Sequence, residues 1–104
     1  MTNITDNETQ ESICAWAEEA FGPVKDPVVL VDRAAVELAE LREAVTGNNE
    51  IEIGKEAADV AILLARLVNQ FSLDLELEVT RKMAENRKRQ WTPKGDGTGS
   101  HIKP

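Results

Sequence analysis

The chain has 104 residues, a formal net charge of −7 and one cysteine, which indicates a single domain with no intrachain disulfide. It has no run of about 18 apolar residues, so we expect no transmembrane helix. The polar, acidic residues 1–10 lack the basic start and apolar stretch of a signal peptide. We therefore expect neither a membrane-spanning protein nor a disulfide scaffold, and a cytoplasmic location is the simplest expectation.

The charge is unevenly distributed along the chain. Residues 1–80 contain 5 Lys/Arg and 17 Asp/Glu, a net −12, whereas residues 81–104 contain 7 and 2, a net +5. An acidic body argues against nucleic-acid binding, which needs broad neutralisation of phosphates. A basic segment beside carboxylates suits a polyphosphate bound through metal ions. The alternative is a solvated basic helix end, stabilised by the helix dipole, and charge alone favours it.

The first helix is predicted over residues 8–21. Its apolar residues recur at steps of three and four, which makes one stripe, and the Gly-Pro pair at 22–23 ends it. Cys14 and Trp16 lie on or beside this stripe. Core packing is the favoured interpretation of both, and a catalytic thiol at Cys14 is the less favoured one.

The second helix is predicted to begin at Asp26-Pro27, an N-cap residue followed by proline, and to end at residues 46–49. Residues 28–31 have the local composition of a strand, but the cap and the continuing periodicity favour a helix. The third helix is predicted over residues 50–71. Because its middle is apolar around most of its circumference, it should be covered on several sides.

The fourth helix is predicted to begin near Ser72 or Asp74 and to continue to Trp91. Residues 92–104 are rich in Gly and Pro and show no periodicity, which indicates a flexible tail. We therefore expect an all-α fold, a compact four-helix bundle formed by residues 1–91. A chain this short buries a modest core, so surplus apolar surface on its helices suggests self-association.

Two pairs of acidic residues carry the chemistry. Glu37 and Glu40 lie three residues apart on the second helix, and Glu56 and Asp59 have the same spacing on the third. Each pair shares one helix face, and antiparallel packing of the two helices would bring the pairs together. Converging carboxylates repel and resist ionisation unless a hard divalent cation binds them, so Mg²⁺ or Mn²⁺ is the predicted ligand.

The alternative to a metal site is ordinary surface charge. Acidic residues three apart are common in charged helices, and Arg33, Arg42 or Lys55 could form ion pairs with them. The pattern alone leaves both interpretations open.

The fourth helix adds a row of polar residues. Lys82, Asn86 and Arg89 follow one another at steps of four and three, so they lie along one face. Lysine supplies a point charge and arginine a planar fork for phosphate oxygens. Taken alone, this row is also typical of an amphipathic helix with a basic end.

The combined pattern of E37-x-x-E40, a gap of 15 residues, E56-x-x-D59 and K82-x-x-x-N86-x-x-R89 resembles the signature of the MazG-like all-α nucleoside triphosphate pyrophosphatases. The resemblance covers about residues 30–91. It implies hydrolysis between the α and β phosphates of a nucleoside triphosphate, giving a monophosphate and pyrophosphate. It also implies a homodimer or homotetramer with sites completed across subunits, and a role in nucleotide-pool house-cleaning.

The resemblance assigns roles by position. The four carboxylates would be the Mg²⁺ ligands, with Mn²⁺ as a substitute, and the basic row would contact the phosphates. Glu40 is our choice for the residue that accepts the proton of the attacking water. Trp91, at the end of the basic helix, joins Trp16 as a candidate for stacking on the base. His101, the only histidine, lies in the tail and is expected to be inert.

Two other classes remain open at this point. A non-enzymatic interaction or regulatory module would use the acidic pairs as surface charge, and it predicts no effect of Mg²⁺ on stability. A carboxylate-bridged di-iron bundle normally pairs Glu with His, and neither acidic pair contains histidine. The preferred nucleobase is not encoded in any residue that we can identify.

Overall fold

The protein is described from a computed structural model, which covers residues 7–104. It contains four helices followed by a two-stranded antiparallel sheet: α1 Gln10–Phe21, α2 Val28–Thr46, α3 Glu50–Asn69, α4 Leu75–Lys88, β1 Gln90–Pro93 and β2 Gly99–Ile102. The predicted four-helix architecture is confirmed. Residues 1–6, which hold part of the acidic segment that argues against a signal peptide, lie outside the described range.

The helices begin where the sequence places capping residues. The carboxylate of Asp26 accepts a hydrogen bond from the backbone N–H of Val28 at 3.0 Å, and α2 starts there, one residue after Pro27. The strand alternative for residues 28–31 is therefore wrong. Asp74, one of the two predicted caps of α4, accepts from the N–H of Leu77 at 2.9 Å, which satisfies a backbone donor that the helix cannot pair internally.

The tightest packing in the chain is between α2 and α3. A turn over residues 47–49 joins them, and Asn48 adopts a left-handed conformation with φ 54°, which asparagine tolerates better than most residues. The turn is too short for anything but an antiparallel arrangement. Leu30 of α2, Ala65 of α3 and Ala17 of α1 are the residues buried where these helices meet.

The side chain of Gln10 ties the start of α1 to the connection between α3 and α4. Its amide nitrogen donates to Asn69 Oδ1 at 3.1 Å and to the carbonyl of Leu73 at 2.7 Å. Its amide oxygen accepts from the N–H of Leu75 at 2.8 Å. One side chain thus satisfies groups on both sides of the connection, and it fixes α1 against the far end of α3.

Much of the apolar surface is uncovered in the single chain. Ile51 is 72% exposed, Phe21 67% and Trp16 59%, so the expectation that Trp16 packs in the core is wrong for an isolated protomer. No residue of α4 is buried, although Leu77, Val79 and Met83 lie on it. The radius of gyration is 16.5 Å, against about 13 Å for a compact domain of this length.

The C-terminal residues form a β-hairpin, so the expectation of a tail without regular structure is wrong. Helix α4 ends at Lys88, before the predicted Trp91, because Arg89 is extended (φ −89°, ψ 155°). Trp91 pairs with His101 across the strands, and Gly95 and Gly97 supply positive φ in the connecting turn. The division into a domain of residues 1–91 and a tail of 92–104 stays a prediction. None of the helices within residues 7–104 is sufficiently long and apolar to cross a bilayer.

Candidate active site

The α2–α3 turn places the two acidic pairs opposite each other. Glu37 precedes Asn48 by eleven residues and Asp59 follows it by eleven, and Glu40 and Glu56 are each eight residues away. In an antiparallel pair, residues at equal distances from the turn lie at the same level. Oxygens of Glu37, Glu56 and Asp59 accordingly lie within 4.8 Å of one another. The predicted convergence is thus observed for three of the four carboxylates, and Glu40 lies outside the group.

The electrostatics of Glu56 reflect that crowding. The pKa of Glu56 is raised to about 7, mainly by hydrogen bonding to the carboxyl group of Glu37, and further by burial and by repulsion from Glu40 and Glu37. Glu40 is exposed and lies outside the tight cluster, but it is near enough to act on Glu56. The upward shift of this pKa and its causes are those expected for carboxylates that crowd together.

One carboxylate oxygen of the cluster has no hydrogen-bond partner among the described residues. Atom Oε2 of Glu56 is buried and accepts no hydrogen bond, which is costly for an acceptor unless an ion or water occupies its lone pairs. The donor set consists only of carboxylate oxygens, the ligands that Mg²⁺ and Mn²⁺ prefer. The residues present therefore fit a hard divalent cation.

Ion pairing explains only part of the acidic pattern. Arg33 pairs with Glu37 at 3.2 Å, and the Glu37 side chain is 12% exposed. Lys55 pairs with Glu52, outside the cluster, at 3.8 Å. Over residues 7–104, no ion pair is formed by Glu56 or Asp59. The alternative of ordinary surface charge therefore holds for Glu37 at most.

A cavity of about 680 Å³ opens beside the cluster, a volume within the usual range for small-molecule sites. Helices α1, α2 and α3 and the α1–α2 connection enclose it, and Glu37 and Asp59 form part of its wall. Trp16 and Phe21 also line it, in an edge-to-face arrangement with ring centroids 5.4 Å apart. The exposed face of Trp16 thus forms part of the cavity wall. This position is consistent with stacking on a base, which the sequence favoured less than core packing.

Sequence reasoning missed two residues of this cavity, Phe21 as a wall residue and Arg66. Arg66 follows Asp59 by seven residues, two turns along the same helix face. That step was the signal available in the sequence. It was overlooked because Arg66 is an isolated charged residue in the most apolar helix and belongs to no recognisable sequence motif.

The basic row does not reach the carboxylates within one chain. Lys82 pairs with Glu85 at 3.5 Å, and Arg89 also pairs with Glu85. Asn86 has a buried side-chain oxygen, Oδ1, without a hydrogen-bond partner. None of the three predicted phosphate ligands lines the cavity. Within one chain, the structure therefore brings acidic residues of α2 and α3 together but leaves Lys82, Asn86 and Arg89 apart from them.

Trp91 has partners of its own in the hairpin. Its indole N–H donates to the carbonyl of Asn86 at 2.8 Å, and its ring lies 5.8 Å from that of His101. Trp91 does not line the cavity of its own chain.

Cys14 is half-buried, and burial raises the pKa of its thiol more than nearby Arg66 lowers it. That environment disfavours the reactive thiolate.

Comparisons with known proteins found similar sequences among phage nucleotide hydrolases. No protein-family model matches the chain. The chain is 35% identical over 95 residues to a dATP/dGTP diphosphohydrolase of Salmonella phage PMBT28 and 28% identical over 95 residues to the dATP/dGTP diphosphohydrolase of cyanophage S-2L. Each match covers 91% of this chain, but the chain spans only 31% of the Salmonella phage relative, against 86% of the cyanophage one.

A solved structure is similar over nearly the whole chain. The cyanophage S-2L MazG-like pyrophosphohydrolase, solved with dGDP and three catalytic Mn²⁺ ions per active site, superposes with a TM-score of 0.73 and 27% identity. The match covers 91% of this chain and 90% of that one. The helical architecture, the sequence matches and this solved structure together support the assignment of the chain to the MazG-like pyrophosphohydrolase superfamily.

Proposed function

We propose that the protein is a Mg²⁺- or Mn²⁺-dependent nucleoside triphosphate pyrophosphohydrolase, which adds water across the α–β phosphoanhydride bond and releases a nucleoside monophosphate and pyrophosphate. The observation that carries the proposal is the carboxylate cluster with its unpartnered Glu56 oxygen, open to a cavity of about 680 Å³. The names of the relatives point to purine deoxynucleoside triphosphates as substrates. Control of a dNTP pool in the cytoplasm is the corresponding role.

The residues of α2 and α3 would have different roles in this reaction. Glu37, Glu56 and Asp59 would hold the cation, with Glu40 as a further ligand or as the base. A bound divalent cation would neutralise the triphosphate and lower the pKa of a water molecule. Glu40 suits the acceptance of that water's proton, because it lies beside the cluster but outside its tight group and is exposed. Arg33 would hold Glu37 in place through their ion pair.

The nucleoside would occupy the cavity next to the cluster. Trp16 offers an exposed indole ring as a stacking surface, and aromatic rings bind bases in this way. Because Trp91 lies outside the cavity of its own chain, it could act on a base only in the site of a second copy.

The predicted phosphate ligands would also act in a second copy. Helix α4 is basic, buries none of its residues and leaves Leu77 and Val79 at the surface. The cluster on α2 and α3 is acidic and has no basic partner from α4. A homodimer or homotetramer would cover this apolar surface and bring Lys82, Asn86 and Arg89 of one copy to the carboxylates of another.

A hydrolysis panel tests the proposal. Purified protein is given each canonical dNTP and NTP with Mg²⁺, Mn²⁺ or EDTA, and products are resolved as pyrophosphate or orthophosphate. We expect metal-dependent release of monophosphate and pyrophosphate in equal amounts, with purine deoxynucleotides favoured. Orthophosphate as the first product would contradict cleavage at the α–β bond. No turnover, together with no effect of Mg²⁺ on stability, would favour the non-enzymatic interaction module.

A further inference from the structure

Arg66 is a cationic side chain without a carboxylate partner in the wall of the cavity. Its guanidinium carbon lies 5.5 Å from the centroid of the Phe21 ring, a cation–π arrangement that restrains it. Within residues 7–104 it forms no ion pair. Its hydrogen-bonding capacity is thus available to a ligand, and the contact with Phe21 keeps it at the cavity.

The position of Arg66 relative to the cluster corresponds to the length of a nucleotide. Asp59 and Arg66 are seven residues apart on α3, so they lie on the same face with about 10 Å between them along the helix axis. Ile62 and Leu63 line the cavity between them. A nucleotide with its phosphates at the carboxylates would lay its sugar along these apolar residues and its base near Arg66.

The other cations of the cavity are less suited to reading a base. Arg33 is engaged with Glu37 at the carboxylate end. Lys25 lies in the α1–α2 connection, and an ammonium group is a point charge without the planar fork of a guanidinium. Arg66 is the fork-shaped donor that remains free in this cavity.

Donor geometry decides which purine Arg66 prefers. Guanine presents two acceptors side by side, O6 and N7, whereas adenine presents N7 beside an amino group, which is a donor. An arginine side chain has donors only. We propose that Arg66 binds the O6/N7 edge of the base and makes the site prefer a 6-oxopurine deoxynucleotide over an adenine one. This inference rests on the proposed function, because it places the triphosphate at the carboxylates.

The test compares kcat/KM for dGTP and dATP in the wild type and in Arg66→Gln. We expect the wild type to favour dGTP on the order of 10-fold, the discrimination that one bidentate contact provides. Glutamine offers one donor and one acceptor, which match adenine N7 and N6, so the variant should shift the preference towards dATP. Arg42→Gln is the matched control, since Arg42 is exposed on α2 and outside the cavity; it should keep the wild-type ratio.

Substrate analogues give a second measurement that needs no mutation. dITP keeps O6 and N7 but lacks the 2-amino group, so it should be hydrolysed about as well as dGTP. 7-Deaza-dGTP lacks the N7 acceptor and should be a poorer substrate. Arg66→Lys, which keeps the charge but loses the fork, should lose discrimination without inverting it, and thermal unfolding checks that each variant is folded.

The outcomes separate this inference from the proposed function. Equal losses on dGTP and dATP in Arg66→Gln would make Arg66 a phosphate ligand, and an unchanged ratio would exclude it from base recognition. Either result overturns the inference while hydrolysis itself stands. If the wild type hydrolyses nothing, the proposed function fails, and calorimetric binding of dGDP against dADP to the wild type and Arg66→Gln still decides whether Arg66 reads the base.

Discussion

The α2–α3 pair and the C-terminal α4–hairpin region are opposite in almost every respect. The first is acidic, is packed against neighbouring helices and brings three carboxylates within 4.8 Å of one another. The second is basic, buries no residue of its helix and leaves two of its predicted phosphate ligands, Lys82 and Arg89, paired with Glu85.

The difference separates what one chain can build from what it cannot. Two antiparallel helices joined by a short turn suffice for the proposed metal site, because every predicted ligand lies within one helical hairpin. The proposed function also needs cations for the phosphates, and the predicted ones, Lys82 and Arg89, lie outside the cavity of their own chain. On that proposal, α2–α3 would be complete in each protomer and α4 would act on another copy.

Removing a ligand from the first region should have the largest effect. Glu56→Ala or Asp59→Ala should lower metal-dependent turnover by at least about 100-fold, since loss of a carboxylate removes both a ligand and the orientation that it gives the cation. The helical circular dichroism should be nearly unchanged, because relief of carboxylate repulsion offsets the lost contacts. Steady-state hydrolysis with Mg²⁺ measures the loss.

The control for this change is Glu76→Gln, which removes an exposed carboxylate of α4 that makes no ion pair with any residue of the described range 7–104. It should retain wild-type turnover. If Glu56→Ala unfolds the protein but keeps full activity per folded molecule, the cluster is structural. The proposal that α2–α3 forms the metal site would then be wrong.

Charging the apolar surface of the second region should dissociate the assembly. Val79 of α4 is 54% exposed in the single chain. Burying a valine contributes roughly 1.5–3 kcal/mol, and a glutamate in its place would have to be desolvated at a further cost. Val79→Glu should therefore raise the dissociation constant of the oligomer by at least about 10-fold, as measured by size-exclusion chromatography with light scattering.

Thr80→Glu is the neighbouring control, because Thr80 is exposed on α4 and not apolar. It should leave the oligomer intact. A wild-type protein that is already monomeric at micromolar concentration would show instead that α4 has no partner copy.

A smaller effect on triphosphate binding is expected when Arg89, the last residue of the basic row, is replaced. Arg89→Ala should raise KM for the triphosphate on the order of 10-fold, the contribution of one charge-assisted hydrogen bond, and leave Mn²⁺ affinity almost unaltered. Calorimetric titrations with Mn²⁺ and with a non-hydrolysable triphosphate measure the two affinities. Arg87→Ala is the control, because Arg87 is an exposed neighbour that forms no ion pair among the residues the structure describes. Equal weakening of both ligands would remove Arg89 from the phosphate site.

The smallest effect concerns pH and the metal-free protein. The pKa of Glu56 is raised from 4.5 to about 7 in the folded chain, so its protonation stabilises the fold. That contribution is fully present below pH 4.5 and is lost as the pH rises through 7. In EDTA, the wild type should become less stable than Glu56→Gln above pH 7, and the two should converge near pH 4.5.

Thermal unfolding across this pH range gives the measurement, and Mg²⁺ provides its control. A cation should restore stability to the wild type at pH 8 and have little effect on Glu56→Gln. Parallel curves for the two proteins in EDTA would show that Glu56 is not strained by its neighbours.

The sequence predicted the helices well because local signals determine them. Caps at Asp26 and Asp74 and the turn near Asn48 fixed the bounds of α2, α3 and α4 to within three residues. The equal offsets of the acidic pairs from that turn then made their convergence predictable. Local chemistry was sufficient for these helices and for the turn between α2 and α3.

The remaining features depend on surfaces that local pattern does not specify. An apolar stripe predicts that Trp16 is covered, but it does not say by what, and the single chain leaves that residue at a cavity wall. The hairpin was missed because its four-residue strands lack apolar alternation, although the glycines at 95 and 97 mark its turn. Arg66 was missed because its role depends on a cavity that three helices form together.

The turn at Asn48 also bears on the order in which the protein acquires its parts. All four acidic residues come from a segment of 23 residues, from Glu37 to Asp59, and contacts so local in sequence form fastest during folding. The helical hairpin therefore has no need of α4, or of a second copy, to take shape. On a growing chain it emerges before α4 does. Pulse-labelled hydrogen exchange should find α2 and α3 protected first.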